Sequence, residues 1–381
     1  KGCVLEAAMI TRACRATAPA RITISACSRG PAISVLSRGP VASVLSCGLA
    51  TAAVCTQLGA PLELRTDWDV PEPGSGQVKI KVAAAGINFS DILQTKGEYQ
   101  DKAEVPFVPG NEAAGEVSEV GEGVEGLTVG DRVICLQRGG AFASEIVADT
   151  NTCLKLPGPA AMRADLAEAA ALMVNYGTAH LALAHRAQLA PGETVLVTAA
   201  AGGVGLATVE LARLLGASRV LAACGSEAKL ELAAGKGASE GGINYNGLDG
   251  RAFRESLKAV TGKFGVDVVV DMVGGDLLEP CIRSLNWNGR AIVIGFTAGS
   301  IPKIPANLLL VKNVSVSGLF WGNHLIHDPK TLLGSAQQLI RWWLDGEVRP
   351  HIGARVPLAR ANEAFALIQG RGSTGKVVLV P

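Results

Sequence analysis

The stretch that most constrains the fold of this chain is residues 194–216, TVLVTAAAGGVGLATVELARLLG. It joins a short β-branched run, a turn of small residues and a helix-forming segment that ends at a glycine. In a parallel α/β fold, this order brings unpaired backbone N–H groups and the positive end of a helix dipole to one point, where a phosphate group is favoured. The stretch therefore predicts a buried strand, a ligand-binding turn and a helix.

The turn departs in one position from the GxGxxG pattern of dinucleotide-binding proteins, because Ala200 precedes Gly202 and Gly205 where a glycine is usual. Such a string is weak evidence by itself. A second β run, residues 219–223, follows at the spacing of a βαβ unit, and this context favours dinucleotide binding over a turn without a ligand. The predicted cofactor-binding residues of the turn are Ala201, Gly202, Gly203 and Val204.

The composition excludes several other classes of protein. A chain of 381 residues with 48% hydrophobic residues can hold two domains with substantial cores. Its net charge of +1 gives no reason to expect a nucleic acid or an anionic membrane as partner. The nine cysteines contain no CxxC pair and the five histidines no HExxH, which argues against a metal site and for a reducing compartment.

The first 48 residues differ from the rest. They carry six basic residues against one acidic residue, a net charge of +5, which leaves −4 on the remainder. The segment RGPAISVLS is followed directly by RGPVASVLS. This composition is typical of a mitochondrial transit peptide, which would place the protein in the mitochondrial matrix, with a cytoplasmic location otherwise. The alternative is an N-terminal extension without a targeting role.

The remaining chain divides into two regions with different predicted secondary structure. Short β runs separated by Gly and Pro predict an antiparallel β domain, beginning with a hairpin over residues 52–65 and a strand over 77–84. Helices are predicted over residues 164–173 and 176–188. From residue 194, strands and helices alternate up to a β run at 313–318, which predicts a parallel sheet covered on both faces. A helix containing Trp342 and Trp343 and a strand at 376–380 close the chain.

Several ordered motifs carry a resemblance to a known family. They are GINFSDILQTKGEY (86–99), PFVPGNEAAGEV (106–117), GDRV (130–133), GGAFASE (139–145), AAAGGVG (199–205) and GKVVLVP (375–381). With them, the chain resembles the medium-chain dehydrogenases/reductases, and within these the zinc-free quinone oxidoreductase branch that includes ζ-crystallin. Ala200 in place of glycine is usual in this branch.

The resemblance implies an α/β fold in which a Rossmann domain, a doubly wound parallel sheet, is inserted into a GroES-like antiparallel β domain. The expected boundaries are 49–172 and 314–381 for the GroES-like catalytic domain and 173–313 for the Rossmann domain. Cofactor and substrate would lie in the cleft between them. The resemblance also implies a homodimer, because relatives pair the free edge of the last strand across a two-fold axis.

Zinc-dependent relatives have Cys where this chain has Asn88, and Gly-His-Glu where it has Gly110, Asn111 and Glu112. Amides are poor zinc ligands beside thiolate and imidazole, so no metal is expected. Without a Lewis acid, alcohol oxidation is disfavoured. A quinone or an α,β-unsaturated carbonyl is the expected acceptor, because it takes a hydride with modest help from hydrogen-bond donors.

The resemblance places Asn88, Asp91 and Tyr99 beside the nicotinamide, as the predicted catalytic residues, with the Tyr99 hydroxyl as the proton or hydrogen-bond donor. Alternatively, Asn88 and Asp91 cap a helix that starts near Ile92. The resemblance also places further residues at the cofactor, each of which could instead be ordinary core. They are Thr178, Val273, Phe296, Leu319 and Trp321.

The choice of cofactor follows from the second Rossmann strand. An NAD enzyme usually ends this strand with Asp or Glu, which binds the ribose 2′-hydroxyl, whereas here the strand ends in Cys224 and Gly225. Ser226, Lys229 and Tyr245 stand where the family binds the 2′-phosphate, so NADPH is predicted, with Gly225 as a further cofactor-binding residue. In the alternative, Lys229 is a surface residue paired with Glu227 or Glu231.

Three functions are compatible with these features. The first is NADPH-dependent hydride transfer to a quinone or an α,β-unsaturated carbonyl. The second is a mitochondrial enoyl-thioester reductase, suggested by the leader. The third is a cofactor-binding protein without catalytic activity, with a structural or RNA-binding role of the kind ζ-crystallin-like proteins can have. The near-neutral body of the chain disfavours RNA.

Overall fold

The structure, a computed structural model, describes residues 48–239, 241–262 and 264–381. The predicted transit peptide, residues 1–48, lies outside these residues except for Gly48. Gly48 is the first residue of a β-strand, so the β domain starts one residue before its predicted boundary.

Fifteen β-strands lie in the described residues. Their bounds are β1 Gly48–Val54, β2 Glu63–Val70, β3 Gln77–Gly86, β4 Glu112–Val120, β5 Arg132–Leu136, β6 Glu145–Asp149, β7 Cys153–Lys155, β8 Thr194–Thr198, β9 Arg219–Cys224, β10 Ile243–Asn244, β11 Val266–Asp271, β12 Leu285–Val293, β13 Ser315–Gly318, β14 Ile352–Pro357 and β15 Lys376–Val380.

Eleven α-helices lie in the same residues. They are α1 Phe89–Thr95, α2 Gly158–Ala161, α3 Leu166–His180, α4 Gly203–Leu214, α5 Glu227–Gly235, α6 Gly250–Thr261, α7 Gly275–Arg283, α8 Ala306–Lys312, α9 His324–His327, α10 Pro329–Leu344 and α11 Ala361–Gln369. None of these described helices has both the length and the apolar character that crossing a bilayer requires.

The β domain takes strands from both ends of the described chain. Seven strands form one sheet, in the order β14-β15-β3-β4-β5-β7 with β6 also paired to β3. All its pairs are antiparallel except β14 with β15. Strands β1 and β2 form a separate antiparallel hairpin, as predicted for residues 52–65. The predicted antiparallel domain is therefore confirmed.

The second sheet is parallel throughout, in the order β10-β9-β8-β11-β12-β13. Side chains of a strand alternate between its two faces. Val195 and Val197 of β8 pack into the cluster that contains α3 and α4, whereas Leu196 packs into the cluster that contains α6 and α7. Both faces of the sheet are thus covered, and the predicted doubly wound arrangement is confirmed.

The two helices predicted over residues 164–173 and 176–188 are one helix. Helix α3 runs without interruption from Leu166 to His180 and continues as a π-helical turn, Leu181–Arg186. No Gly or Pro stands between residues 173 and 176, so nothing in the sequence ends a helix there. This helix packs against β3 and β4 of the antiparallel sheet and against α4 of the Rossmann domain.

The sheets extend beyond the predicted domain boundaries. Strand β13 begins at residue 315, after the predicted boundary at 313, yet it pairs with β12 of the parallel sheet. The boundary at 173 falls inside α3, which contacts both domains. Strand pairing places the end of the Rossmann domain after Gly318.

Candidate active site

The glycine turn after β8 has a backbone that few residues allow. Ala199 lies in the left-handed region with φ of 45°. Gly202 is the N-cap of α4. A Cβ on Gly205 would lie 2.3 Å from the carbonyl oxygen of Ala199, so only glycine permits this close approach. The N–H groups of Gly203 and Val204 donate to no acceptor in the described residues, which leaves an anion-binding site at the start of α4.

A loop from the C-terminal end of the chain runs alongside this turn. It comprises residues 370–375, GRGSTG. The N–H of Gly375 donates to the carbonyl oxygen of Ala201 at 2.8 Å. At the other end of the loop, Arg371 has φ of 55°. This loop was not predicted from the sequence, although a run of Gly, Ser and Thr before a closing strand is a signal that indicates it.

Four residues predicted to bind the cofactor come together where this loop meets α5. Ser226 is the N-cap of α5, and its hydroxyl accepts from the N–H of Lys229 at 3.4 Å. A Cβ on Gly225 would lie 3.8 Å from the ring of Tyr245. Burial raises the pKa of Tyr245, and the nearby guanidinium of Arg371 opposes this. Two cationic and two hydroxyl-bearing side chains thus belong to neighbouring segments, a combination suited to a phosphate group.

The ammonium group of Lys229 forms its hydrogen bond with the C-terminal loop and not with a residue of its own helix, α5. Its Nζ donates to the carbonyl oxygen of Arg371 at 2.7 Å. In the described residues it forms no ion pair with Glu227 or Glu231, the partners that the alternative interpretation gave it. Glu227 instead accepts from the side chain of Asn244 at 3.0 Å.

A pocket of about 260 Å³ lies between the two domains, beside the start of α4. Its lining includes six of the residues that the sequence predicted: Asn88, Tyr99, Thr178, Val204, Leu319 and Trp321. It also includes residues that the sequence did not predict, among them Asn111, Gln137, Arg138 and Phe320. The walls from residues 319–321 are apolar, and the polar groups come from the β domain and from α3.

The aromatic wall depends on a glycine in α3. Trp321 is 9% exposed, and its Nε1 finds no hydrogen-bond partner among the residues that the structure describes. A Cβ on Gly177 would lie 2.5 Å from that Nε1, so any other residue at 177 would displace the indole. The rings of Tyr99 and Phe320 pack edge to face across the pocket, with centroids 6.3 Å apart.

Two predicted cofactor residues, Val273 and Phe296, lie outside the lining of this pocket. They follow β11 and β12, at the carboxyl ends of the parallel strands. Val273 is 8% exposed. A Cβ on Gly274 would lie 2.6 Å from the Phe296 ring, so the two segments pack directly on each other.

A buried charge network lies behind Asn88. The Nζ of Lys376 donates to Asn88 Oδ1 at 2.6 Å and to the carboxylate of Glu112. Asn88 Nδ2 donates to Glu112 Oε1 at 3.1 Å, and Glu112 Oε2 accepts from the N–H of Val174 at 3.0 Å. Both ends of the Asn88 amide are therefore engaged by protein groups. No role was predicted for Lys376, although a lysine at the first position of an otherwise apolar closing strand is unusual and could have indicated one.

Neither asparagine that replaces a zinc ligand is free to bind a metal. Asn88 Oδ1 faces the Lys376 ammonium, which holds a positive charge at this position. Asn111 Oδ1 accepts from the N–H of Gly139 at 3.1 Å, and Asn111 Nδ2 donates to Asp91. No group of three or more potential ligands gathers in the described part of the chain. These residues do not fit a zinc ion.

Asp91, a predicted catalytic residue, lies behind the pocket and does not line it. Its carboxylate is fully buried and accepts from the N–H of Asn88 at 2.7 Å. The alternative that Asp91 caps a helix is thus correct, although α1 starts at Phe89 and not near Ile92. Asn88 is the N-cap residue of α1. Asp91 holds Asn88 and Asn111 in place and is a positioning residue.

Burial raises the pKa of Asp91 to about 7, against the opposing effects of the Asn88 N–H and the Lys376 ammonium. The folded protein therefore holds this proton more tightly than the unfolded chain between pH 3.8 and about 7. In this window the Asp91 contribution to stability falls as pH rises, by up to about 1.4 kcal/mol per pH unit. Urea unfolding of Asp91→Asn and native protein from pH 4 to 8 tests this. Equal pH slopes for the two proteins would contradict it.

Two family profiles match the chain. The profile of the alcohol dehydrogenase GroES-like domain matches residues 74–158, and that of the zinc-binding dehydrogenases matches residues 203–338. The quinone oxidoreductase-like protein 2 homolog of Nematostella vectensis is 43% identical over 331 residues, which are 86% of this chain and 88% of that protein.

Two solved structures are similar over the same part of the chain. The quinone oxidoreductase of Thermus thermophilus, described together with its NADPH complex, is 36% identical with a TM-score of 0.73, and the match covers 87% of this chain and all of that one. That of Escherichia coli, complexed with NADPH, is 28% identical with a TM-score of 0.77, over 87% and 99% of the two chains. The chain therefore belongs to the quinone oxidoreductase family of the medium-chain dehydrogenases/reductases, whose activity is NADPH-dependent oxidoreduction.

Proposed function

We propose that this protein reduces quinones or α,β-unsaturated carbonyl compounds with NADPH, without zinc. The observation that carries the proposal is the pocket between the domains. It joins the start of α4 at Val204 to an apolar wall and to the Tyr99 side chain, and the Asn88 amide, which stands in place of a zinc ligand, accepts a hydrogen bond from the Lys376 ammonium. Two relatives of known structure were crystallised with NADPH, which supports the same cofactor here.

The cofactor would extend along the edge formed by the glycine turn and the C-terminal loop. The unpaired N–H groups at the start of α4 would bind the pyrophosphate, and Ser226, Lys229, Tyr245 and Arg371 would bind the 2′-phosphate. When bound, NADPH supplies the hydride. Thr178, in the pocket beside Val204, would contact the nicotinamide end.

The acceptor would lie against Leu319, Phe320 and Trp321, which favour a flat apolar molecule. Negative charge develops on the acceptor's carbonyl oxygen during reduction, and a fixed donor stabilises it. The Tyr99 hydroxyl makes no hydrogen bond to the described residues and lines the pocket, so it is available as that donor. Burial raises the pKa of Tyr99, helped by the carboxylates of Asp91 and Asp101, so the hydroxyl stays protonated at neutral pH.

A panel of acceptors tests the proposed reaction. Oxidation of NADPH is followed at 340 nm with 1,2-naphthoquinone, a 2-alkenal and crotonyl-CoA. We expect turnover with the quinone or the alkenal. A clear preference for crotonyl-CoA would support the enoyl-thioester alternative, and NADPH binding without turnover of any acceptor would support a role without catalysis.

Lys229→Glu tests the cofactor assignment. A glutamate would repel the 2′-phosphate and remove a charge-assisted hydrogen bond of about 1.5–3 kcal/mol, so NADPH should bind about 10- to 100-fold more weakly with little change for NADH. Quenching of protein fluorescence by each nucleotide measures both affinities. Lys258→Glu, on the exposed side of α6, is the control and should leave both unchanged. Equal NADPH affinity in Lys229→Glu and native protein would reject the assignment.

We propose that two copies associate through the free edge of β13. Among the described strands β13 pairs with β12 alone, and α8 beside it exposes 82% of Leu310 and 67% of Val311. A second copy would complete the sheet and cover these side chains. Leu310→Glu/Val311→Glu is expected to give monomers in analytical ultracentrifugation at concentrations where native protein is dimeric. Leu333→Glu, an exposed leucine on α10, should leave the mass unchanged. A monomeric native protein would contradict the proposal.

A further inference from the structure

Two cysteines of the β domain face each other across neighbouring strands. Cys135 of β5 and Cys153 of β7 are direct partners in the antiparallel register. Both side chains point to the same face of the sheet, because both belong to the apolar core of the β domain. Both are free thiols.

The register gives this pair the shorter of the two cross-strand spacings. The N–H of Leu156 donates to the carbonyl oxygen of Arg132 at 2.9 Å, which makes these two residues a hydrogen-bonded pair. Hydrogen-bonded and non-hydrogen-bonded pairs alternate along an antiparallel ladder, and Cys135 with Cys153 stands three positions further along. It is therefore a non-hydrogen-bonded pair, where the Cα atoms are about 4.5 Å apart, within the range that a disulfide spans.

We infer that Cys135 and Cys153 form a dithiol modification site that a peroxide oxidises to an intrachain disulfide. The site is separate from the proposed active site, so it stands or fails independently of the proposed function. Cys153 is the thiol that reacts first, and Cys135 is the resolving thiol.

Position and charge distinguish Cys153 from the other described cysteines. It lies half-buried on β7, a three-residue strand at the edge of the sheet, whereas Cys55, Cys135, Cys224 and Cys281 are buried. The neighbouring Cys135 thiol lowers the pKa of Cys153 against the effect of burial. Burial raises the pKa of Cys55, Cys224 and Cys281. Since the thiolate is the nucleophile, oxidation should be selective for Cys153.

The chemistry balances with one peroxide per site. The Cys153 thiolate attacks one oxygen of hydrogen peroxide, the O–O bond breaks, and a sulfenic acid and a hydroxide ion form. The Cys135 sulfur then attacks the Cys153 sulfur, the S–O bond breaks, and the sulfenic oxygen leaves as water with the Cys135 proton. The two sulfurs are each oxidised by one electron, and the peroxide is reduced to water and hydroxide, which takes up the proton that Cys153 had released.

Peptide mapping of the full chain tests the site directly. After treatment with a small excess of hydrogen peroxide and blocking of free thiols, trypsin should release residues 133–138 linked to residues 139–155, because it cleaves after Arg132, Arg138 and Lys155. The linked mass should be two hydrogens below the sum of the two peptides and should disappear on reduction with dithiothreitol. The peptides of Cys55, Cys224 and Cys281 should remain blocked thiols.

Two variants separate the roles of the cysteines. In Cys135→Ala, Cys153 should accumulate as a sulfenic acid that dimedone traps, and in Cys153→Ala, Cys135 should stay a free thiol. Circular dichroism of both variants checks that the fold is kept, and the native-protein map does not depend on them. Native protein in which Cys153 stays reduced, or becomes sulfinic acid without a link to Cys135, would overturn the inference.

Discussion

Replacement of Lys376 by methionine is expected to lower the free energy of unfolding by about 3–5 kcal/mol. Lys376 is 3% exposed and Glu112 is fully buried, so the carboxylate of Glu112 would be left without its counter-ion in a place closed to water. Methionine fills about the same space as the aliphatic part of the lysine side chain. The change in the free energy of unfolding should therefore come mainly from the lost charge and not from lost packing. Urea denaturation at neutral pH, followed by far-UV circular dichroism, measures the change.

Two further variants identify the cause of that loss. The double variant Glu112→Gln/Lys376→Met removes both charges and should recover most of the stability, because replacing a buried pair costs far less than breaking it. Lys155→Met breaks the more exposed pair with Asp131 and should change stability by less than about 1 kcal/mol. If Lys376→Met cost no more than Lys155→Met, the buried pair would have no special role.

Replacement of Tyr99 by phenylalanine is expected to lower kcat for quinone or enone reduction by about 10²- to 10³-fold, the usual effect of removing one donor to a developing oxyanion. The ring would keep its edge-to-face contact with Phe320, so the pocket should keep its shape. Because the hydroxyl acts on the acceptor and not on the nucleotide, the affinity for NADPH should not change. Steady-state kinetics and nucleotide titration measure the two quantities separately.

Tyr245→Phe is the matched control. Tyr245 lies beside Arg371, where the 2′-phosphate is expected, so loss of its hydroxyl should weaken NADPH binding and leave kcat at saturating nucleotide unchanged. An unaltered kcat in Tyr99→Phe would remove Tyr99 as the donor. A fall in NADPH affinity in that variant would show that the ring shapes the nucleotide site.

Much of the fold was predictable because the local sequence pattern and the tertiary contacts favour the same strands and helices. The alternation of β8, α4 and β9 follows from β-branched runs, a glycine turn and a helix-ending glycine, all of which act over a few residues. Strand β15 at residues 376–380 was predicted to the residue. The predictions failed where the chain gives no local stop signal, as within α3, and where a boundary depends on strand pairing, as at β13.

The candidate site was predictable in part. The glycine turn after β8 and the start of α5 after β9 were both predicted, because each follows its strand at a spacing that is typical of the motif. The roles of Lys376 and Arg371 were missed, since each acts on residues more than 140 positions away in the chain. Asp91 was assigned to the cleft or, alternatively, to a helix cap, and its hydrogen bond from the N–H of Asn88 together with its complete burial supports the cap.

The sequence by itself determined the two-domain α/β architecture, the phosphate-binding turn and the replacement of two zinc ligands by amides, because these depend on short-range patterns and residue identity. Only the tertiary structure decided what each amide touches. Asn88 faces a lysine 288 positions away and Asn111 faces Asp91, contacts that exist because helix α1, strand β4 and the closing strand converge. The identity of a residue limits the hydrogen bonds that it can form, but tertiary packing decides which partners a buried side chain meets.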